Sequence, residues 1–351
     1  MNSAAIKQSE TKPSRWPRLM GMLLVSIVFP LNWVGGLVTT TDAGMAVPDW
    51  PNTYGYNLFL YPMREWFLGP WDLFVEHGHR LLGSLAGLVA IFLVIATVRG
   101  ESRRWVRDFS IVVLLLVIAQ GLLGGARVVL DQRVLAKIHG CLGPAFFAAA
   151  VGFCVVTSAW WRKASKFVAP DSKSSKTAGR LRTLATSMLV VSYLQLVFGA
   201  FLRHIGDEAA PQVYKGLIVA HVLTALLILS GTFAQLIFSR ASSIRGLGIR
   251  SSISFLTILV VAQFALGIGT WVVKFGWPIW FENVAGAASF VVAEKSFFQV
   301  NIITAHVANG SLILAFWTVQ TLRCHRIFSR SAETSTVKKI AQTSTLTTAA
   351  E

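Results

Sequence analysis

Eight long apolar stretches restrict the fold of this 351-residue chain more than any other feature of its sequence. A helix needs about 20 apolar residues to cross roughly 30 Å of hydrocarbon. Runs of that length lie at residues 17–39, 72–98, 105–128, 133–160, 182–203, 213–239, 252–274 and 297–322. With 54% hydrophobic and only 14% charged residues, the chain is too apolar for an ordinary soluble domain. We therefore predict an all-α integral membrane protein with eight transmembrane helices.

The charges are divided unequally between the two sides of this predicted topology. Eight spans place both termini on one side, where the loops and tails hold 23 Lys and Arg against 6 Asp and Glu. The opposite side holds 9 against 10. This asymmetry follows the positive-inside rule and predicts that both termini are cytoplasmic. The net charge of +16 is then explained by basic segments beside anionic lipid, so we predict a lipid bilayer and no nucleic acid as partner.

A basic linker at residues 161–181 divides the chain into two sets of four spans. We predict an N-terminal four-helix bundle at 17–160 and a C-terminal four-helix bundle at 182–322, with cytoplasmic tails at 1–16 and 323–351. The odd spans end alike on the outer side, in VGGLVTTT, QGLLGGARVV, QLVFGAFLRH and QFALGIGTWVV. We interpret their glycines as packing residues, because small side chains let helices approach closely. The repeat predicts that the two bundles are pseudo-symmetric.

Each even span carries one histidine near its outer end, followed four residues later by a small residue. The pairs are His79 with Gly83, His139 with Gly143, His221 with Ala225, and His306 with Gly310. Because residues four apart share a helical face, each imidazole has room beneath it for a flat ligand. A single such histidine is more often a hydrogen-bonded core residue, but ionisable groups repeated in register within spans mark function.

Neutral imidazole is an axial ligand of haem iron, and helical bundles commonly hold cofactors between facing helices. We predict two bis-histidine haem sites, with the axial ligands paired within each half as His79 with His139 and His221 with His306. Zinc or copper is the competing metal, but no carboxylate or cysteine joins the histidines at the spacing of a tetrahedral site. The cysteines, Cys141, Cys154 and Cys324, lie within spans or at cytoplasmic ends, so no disulfide is predicted.

Two further classes remain as alternatives. A transmembrane electron carrier of the cytochrome b type would stack its haems across the bilayer, whereas all four histidines here enter from one side. A transporter would need broken helices and polar residues at the midplane, and these spans are continuous apart from Pro144.

The stretch EHGHRLLG makes the first site unlike the second. Glu76, His79 and Gly83 lie on one helical stripe, and no acid stands in the same relation to His221 or His306. A carboxylate beside a porphyrin can take up a proton or stabilise positive charge, so we predict a catalytic role for it. The alternative is an ion pair with the arginine that follows His79.

Three arginines near outer helix ends, Arg80, Arg127 and Arg203, are candidate partners for haem propionates, because guanidinium binds carboxylates in a bidentate manner. Each has the alternative of an interfacial residue with its charge at the membrane surface. His77 points to a different face from His79, and we interpret it as structural.

Five segments, read in order, resemble the haem A synthases of bacterial membranes and mitochondria. They are GGLVTTTDAGMAVPDWPNTYG from Gly35, EHGHRLLGSLAGL from Glu76, KIHGCLG from Lys137, VAHVLTALLIL from Val219 and TAHVANGSLILA from Thr304. The resemblance extends over residues 17–322. It implies an oxidoreductase of the bacterial plasma membrane that converts the C8 methyl group of haem O, through the alcohol, to the formyl group of haem A for terminal oxidases.

The resemblance also implies a role for each candidate residue. Glu76 would be the essential acid, His79 and His139 would bind the substrate haem O, and His221 and His306 would bind a permanent haem b. Candidate partners are haem O synthase and an electron acceptor that the sequence does not identify.

One departure from the family concerns the first outer loop. Many bacterial members have a cysteine pair there, and this chain has Val47 and Thr53 at the corresponding places. We expect the loop to be held instead by prolines and aromatic residues and to cover the substrate site.

Overall fold

The computed structural model describes residues 14–164, 172–206, 209–240, 249–281, 283 and 290–348. Over these residues it is helical, with one isolated bridge between Thr53 and Tyr56 and no β-strand. The α-helices are α1 (Trp16–Thr40), α2 (Met63–Leu68), α3 (Trp71–Gly100), α4 (Arg104–Val129), α5 (Arg133–Val156), α6 (Ala159–Ala164), α7 (Ser172–Arg203), α8 (Pro211–Phe238), α9 (Ile249–Phe275) and α10 (Phe297–Thr348).

Eight of these helices are long and apolar enough to cross a membrane, which confirms the predicted spans. The helix predicted over 133–160 instead ends at Val156, because the Thr157 hydroxyl binds the Phe153 carbonyl and Ser158 begins a new short helix by accepting the N–H of Trp161. The last helix continues well beyond residue 322. Parts of the predicted tails and linker, residues 1–13, 165–171 and 349–351, lie outside the described residues.

The long helices have the same order of neighbours in each half of the chain. In the first half, α1 and α4 each pack against α3 and α5; in the second half, α7 and α9 each pack against α8 and α10. Helix α10 also packs against α1 and α5, and α5 contacts α7, so the halves share a broad contact. This is the packing expected of two adjoining four-helix groups, and their relation by pseudo-symmetry stays a prediction.

Apolar packing fills one end of each half. The core of the first half includes Leu24, Leu93 and Phe153, and that of the second includes Leu181 and Trp317. All lie toward the helix ends away from the loop that joins α1 to α3. We call the face that carries this loop the outer face, following the predicted orientation. The candidate site residues lie beyond the cores, toward the outer face.

Candidate functional site

The four histidines form two pairs, one in each half. The ring centroids of His79, on α3, and His139, on α5, are 6.3 Å apart. Those of His221, on α8, and His306, on α10, are also 6.3 Å apart. Two metal–nitrogen bonds of about 2.0–2.1 Å, together with the ring radii, give a centroid separation of about 6 Å. Each pair therefore has the spacing that one metal ion held between two imidazoles requires.

Each histidine ring lies against a glycine of the odd-numbered span before it. A Cβ added at these glycines would stand 2.9 or 3.2 Å from the ring Cε1, closer than ordinary carbon contacts. The four contacts join Gly35 to His79, Gly124 to His139, Gly199 to His221, and Gly267 to His306. The interpretation of these glycines as packing residues was therefore incomplete, because they also set the position of the histidine rings.

Three glutamines contact the histidines, and no role was predicted for them from the sequence. Gln120 donates to the backbone carbonyl of His139 at 3.1 Å, and the amide nitrogen of Gln195 is 3.2 Å from Nε2 of His221. Gln263 binds the backbone carbonyl of His306 at 2.9 Å and its ring Nδ1 at 3.2 Å.

Each glutamine lies four residues before the glycine that touches the same histidine. The sequence pattern Gln-x-x-x-Gly recurs on three alternate spans. It therefore indicates residues that help to orient the histidine rings.

Of the three glycines predicted to leave space beneath an imidazole, one adjoins open space and two have side chains near them. A Cβ added at Gly83 would meet nothing within 4 Å, so the place one turn below His79 is open. At Gly143 and Gly310 the nearest side chains, Gln120 and Leu196, would be 3.4 Å away. The first pair thus has free room beside it on α3.

Three of the four rings have a buried nitrogen that lacks a hydrogen-bond partner, namely Nδ1 of His79, His139 and His221. Such a nitrogen is costly in an apolar interior unless something binds the ring. Over the described residues, no three His, Cys, Asp or Glu side chains lie together as a closed metal site would require. Two imidazoles in each pair fit a group whose metal already has its equatorial ligands, as the iron of a haem does.

Glu76 is buried in the second turn of α3, with 2% of its surface exposed. Its Oε1 accepts a hydrogen bond from Nη2 of Arg80 at 2.9 Å, and its Oε2 accepts one from the backbone N–H of Val47 at 2.9 Å. The ion pair that we kept as an alternative is therefore present. It does not exclude a catalytic role, which stays a prediction.

His77 faces the outer loop and not the histidine pair. Its Nδ1 is 3.0 Å from the Thr53 hydroxyl, and its ring packs against Tyr61 and Trp66 at centroid distances of 5.1 Å. These contacts agree with the structural interpretation of this residue.

The arginines predicted to bind propionates all reach the end of α1 or the loop after it. Arg80 donates to the carbonyls of Val47, Asp49 and Asn52 as well as to Glu76, which occupies all four of its Nη hydrogens. All four Nη hydrogens of Arg80 thus have protein acceptors, and its binding to a haem propionate stays a prediction.

The other two arginines keep unused donors. Nη2 of Arg127 binds the carbonyl of Gly44 at 3.1 Å, and Nη2 of Arg203 binds the carbonyl of Gly36 and the hydroxyl of Thr40. Within the part of the chain that the structure describes, their Nη1 groups make no hydrogen bond, and both stay candidates for propionate binding.

Helix α1 contacts α3 of the first half and α10 of the second half. Gly35 faces His79, whereas the adjacent Gly36 faces the methyl group of Thr304 on α10, where an added Cβ would be 2.9 Å away. Thr304 lies two residues before His306 and therefore points to a different side of α10 from that ring.

Two titratable groups outside the spans are held in one charge state. Burial acts to raise the pKa of Asp49, but the N–H groups of Gly55 and Tyr54, at 2.7 and 2.8 Å from its carboxylate, outweigh burial and lower it. Burial, followed by the positive charge of Arg203, lowers the pKa of His204 to about 4. Asp49 is thus an anion and His204 a neutral ring at neutral pH.

These features define a multi-pass helical membrane protein with two pairs of histidines near one face. The family model described as "Cytochrome oxidase assembly protein", COX15-CtaA, matches residues 71–216, which contain Glu76, His79 and His139. This match agrees with the resemblance noted in the sequence.

Three curated relatives are named Heme A synthase. The one from Symbiobacterium thermophilum is 30% identical over 182 residues, which are 50% of this chain and 55% of the relative. That from Geobacillus thermodenitrificans is 29% identical over 187 residues, or 50% and 52%. That from an Exiguobacterium species is 24% identical over 194 residues, or 54% and 57%. The chain thus spans about half the length of the curated relatives it matches.

Proposed function

We propose that this protein is a haem A synthase of the bacterial plasma membrane, with both termini in the cytoplasm. It oxidises the C8 methyl group of haem O, through the alcohol, to the formyl group of haem A used by terminal oxidases. The observation that carries this proposal is the inequality of the two sites. Both have the same ring separation of 6.3 Å, and only the first has a buried carboxylate one turn from a histidine.

The two pairs take different roles in this proposal. His79 and His139 hold the substrate haem O, and the open place at Gly83 gives it room beside the first ring. His221 and His306 hold a resident haem b, and the amides of Gln195 and Gln263 keep their rings in position. Haem b, when bound, supplies a redox-active iron.

Glu76 acts on the reacting methyl carbon of the substrate. Each oxidation removes electrons and protons from that carbon, and water supplies the oxygen atom. The carboxylate takes up a departing proton or stabilises positive charge before water adds. Burial strengthens this effect, because electrostatic interactions are stronger where water is excluded.

Two arginines bind the haem propionates in this proposal, and two partners complete the reaction. Arg127 lies close enough to interact electrostatically with Glu76, His79 and His139, and has donors left for a propionate of the first haem. Arg203 interacts with His306 and serves the second haem in the same way. Haem O synthase is the proposed supplier of substrate, and an electron acceptor takes the electrons away.

Extraction of pigments after expression tests the proposal. The chain is expressed, with and without a co-expressed haem O synthase, in a host that lacks its own haem A synthase. The extracted haems are then separated by chromatography. We expect a formyl-bearing haem only when haem O is supplied. Haem b bound to the purified protein, with no formyl haem under either condition, would instead favour the electron carrier.

A further inference from the structure

The loop from Gly44 to Thr53 is fastened to α3, which carries His79, and to α4, whose Gly124 lies against the ring of His139. Helix α4 holds its start, where Arg127 binds the Gly44 carbonyl. Helix α3 holds its end, where the Thr53 hydroxyl contacts His77. Between these points the loop backbone is bound by Glu76 and Arg80, from a single turn of α3. Val47 and Thr53 are both fully buried.

Arg80 makes three of these attachments by itself. Its Nη1 donates to the carbonyls of Asp49 and Asn52 at 2.7 and 2.8 Å, and its Nη2 donates to the carbonyl of Val47 at 2.7 Å. The remaining Nη2 hydrogen binds Glu76. Only a planar guanidinium presents its donors in this arrangement, since a lysine ammonium is a point charge with three donors.

The same loop contacts residues that adjoin the first histidine pair. The indole of Trp50 lies against Gly125 of α4, where an added Cβ would overlap the ring. The adjacent Gly124 lies against the ring of His139. At the other side of the site, Val47 bonds Glu76, which is one turn from His79.

We propose that Arg80 is a positioning residue, which holds the Gly44–Thr53 loop closed over the first histidine pair and fixes the carboxylate of Glu76 beneath it. Because Val47 binds the other oxygen of the same carboxylate, loop and acid are placed together. Loss of the guanidinium fork frees the loop and lets the carboxylate rotate. The loop closure rests on contacts alone, whereas its effect on turnover rests on the proposed haem O oxidation.

The test compares Arg80→Lys, which keeps the positive charge but not the fork, with Lys295→Gln as a control. Lys295 is an exposed cation that contacts the chain just before this loop, through an ion pair with Asp42 at 3.0 Å. Hydrogen exchange is measured on the haem-loaded protein in lipid nanodiscs. We expect the amides of residues 44–53 to exchange at least about tenfold faster in Arg80→Lys. Equal exchange in Arg80→Lys and Lys295→Gln overturns the proposal.

Two further measurements separate positioning from a general loss of structure. The absorbance of the haem at His221 and His306 reports whether the variant folds, and we expect it to be unchanged. The kcat for haem O falls in Arg80→Lys by about tenfold or more while KM changes less, because the misplaced group is the acid and not the haem ligands. A faster-exchanging loop with unchanged kcat would overturn the link to Glu76.

A second variant covers the case in which Arg80→Lys does not accumulate with haem. Thr53→Val removes one loop attachment without changing side-chain size, and we expect a smaller increase in exchange limited to the end of the loop. No increase there would contradict fastening by these contacts. If the wild-type protein makes no formyl haem, the proposed function fails, but the exchange result still decides whether Arg80 holds the loop.

Discussion

Replacing Gly35 by alanine is expected to weaken ligand binding at the first histidine pair and to leave the second pair intact. The added Cβ would stand 2.9 Å from Cε1 of His79, whereas carbon atoms at van der Waals contact are about 3.5–4.0 Å apart. The ring must therefore move by about 0.6–1 Å. A displaced ring no longer meets His139 at the separation that one metal ion requires.

The size of the effect follows from the cost of overfilling a packed site, which is about 1–3 kcal/mol. If haem binding requires the ring in its original position, this cost corresponds to a factor of about 5–150 in haem affinity at the first site.

The assay is the rate of haem loss from each site in lipid nanodiscs, with haem content measured per protein. Gly121→Ala is the matched control, because it adds the same methyl group on α4 where nothing lies within 4 Å. Gly267→Ala should show the reverse selectivity, since its Cβ would stand 3.2 Å from His306. Haem loss from Gly35→Ala equal to that from Gly121→Ala would refute the role of these glycines in setting the rings.

Two other predictions concern Glu76 and His204. Glu76→Gln should retain haem at both sites but lower the production of formyl haem by about 100-fold or more, and activity equal to wild type would rule out acid–base catalysis. The pKa of His204 is lowered to about 4 by burial, so the unfolded chain binds more protons below its ordinary value of 6.5. Stability should therefore decrease as pH falls from about 6.5 to about 4, by about 3 kcal/mol. Thermal unfolding across this range measures the decrease, and a His204→Gln variant that unfolds with the same pH dependence would contradict the assignment.

The spans and the histidine pairs could be predicted from the sequence because both are periodic. Helix length and hydropathy identify the spans. A histidine that recurs at one depth on alternate helices indicates which imidazole rings meet. The end of α5 was missed because the hydroxyls of Thr157 and Ser158 stop the helix within a run that is still apolar. The extension of α10 was missed because the final segment lacks apolar periodicity.

The backbone partners of the arginines could not be predicted from the sequence. Arg80 binds three backbone carbonyls, and a carbonyl is present at every residue, so no pattern of side chains indicates which ones a guanidinium meets. Charge and position suggested an anionic partner, which Glu76 supplies, and the folded loop supplies neutral carbonyl oxygens in addition. The glutamines, by contrast, recur at a fixed distance before the glycines, so their contacts could have been predicted from the sequence.

The ligand content of the purified protein tests the central claim most directly. After reconstitution with haem, the wild type should show a Soret band and low-spin signals from two bis-histidine sites. His79→Ala should abolish the first signal only, and His306→Ala the second only. A protein without a Soret band after reconstitution, or one whose spectrum is unchanged by both substitutions, would contradict the assignment of the two histidine pairs.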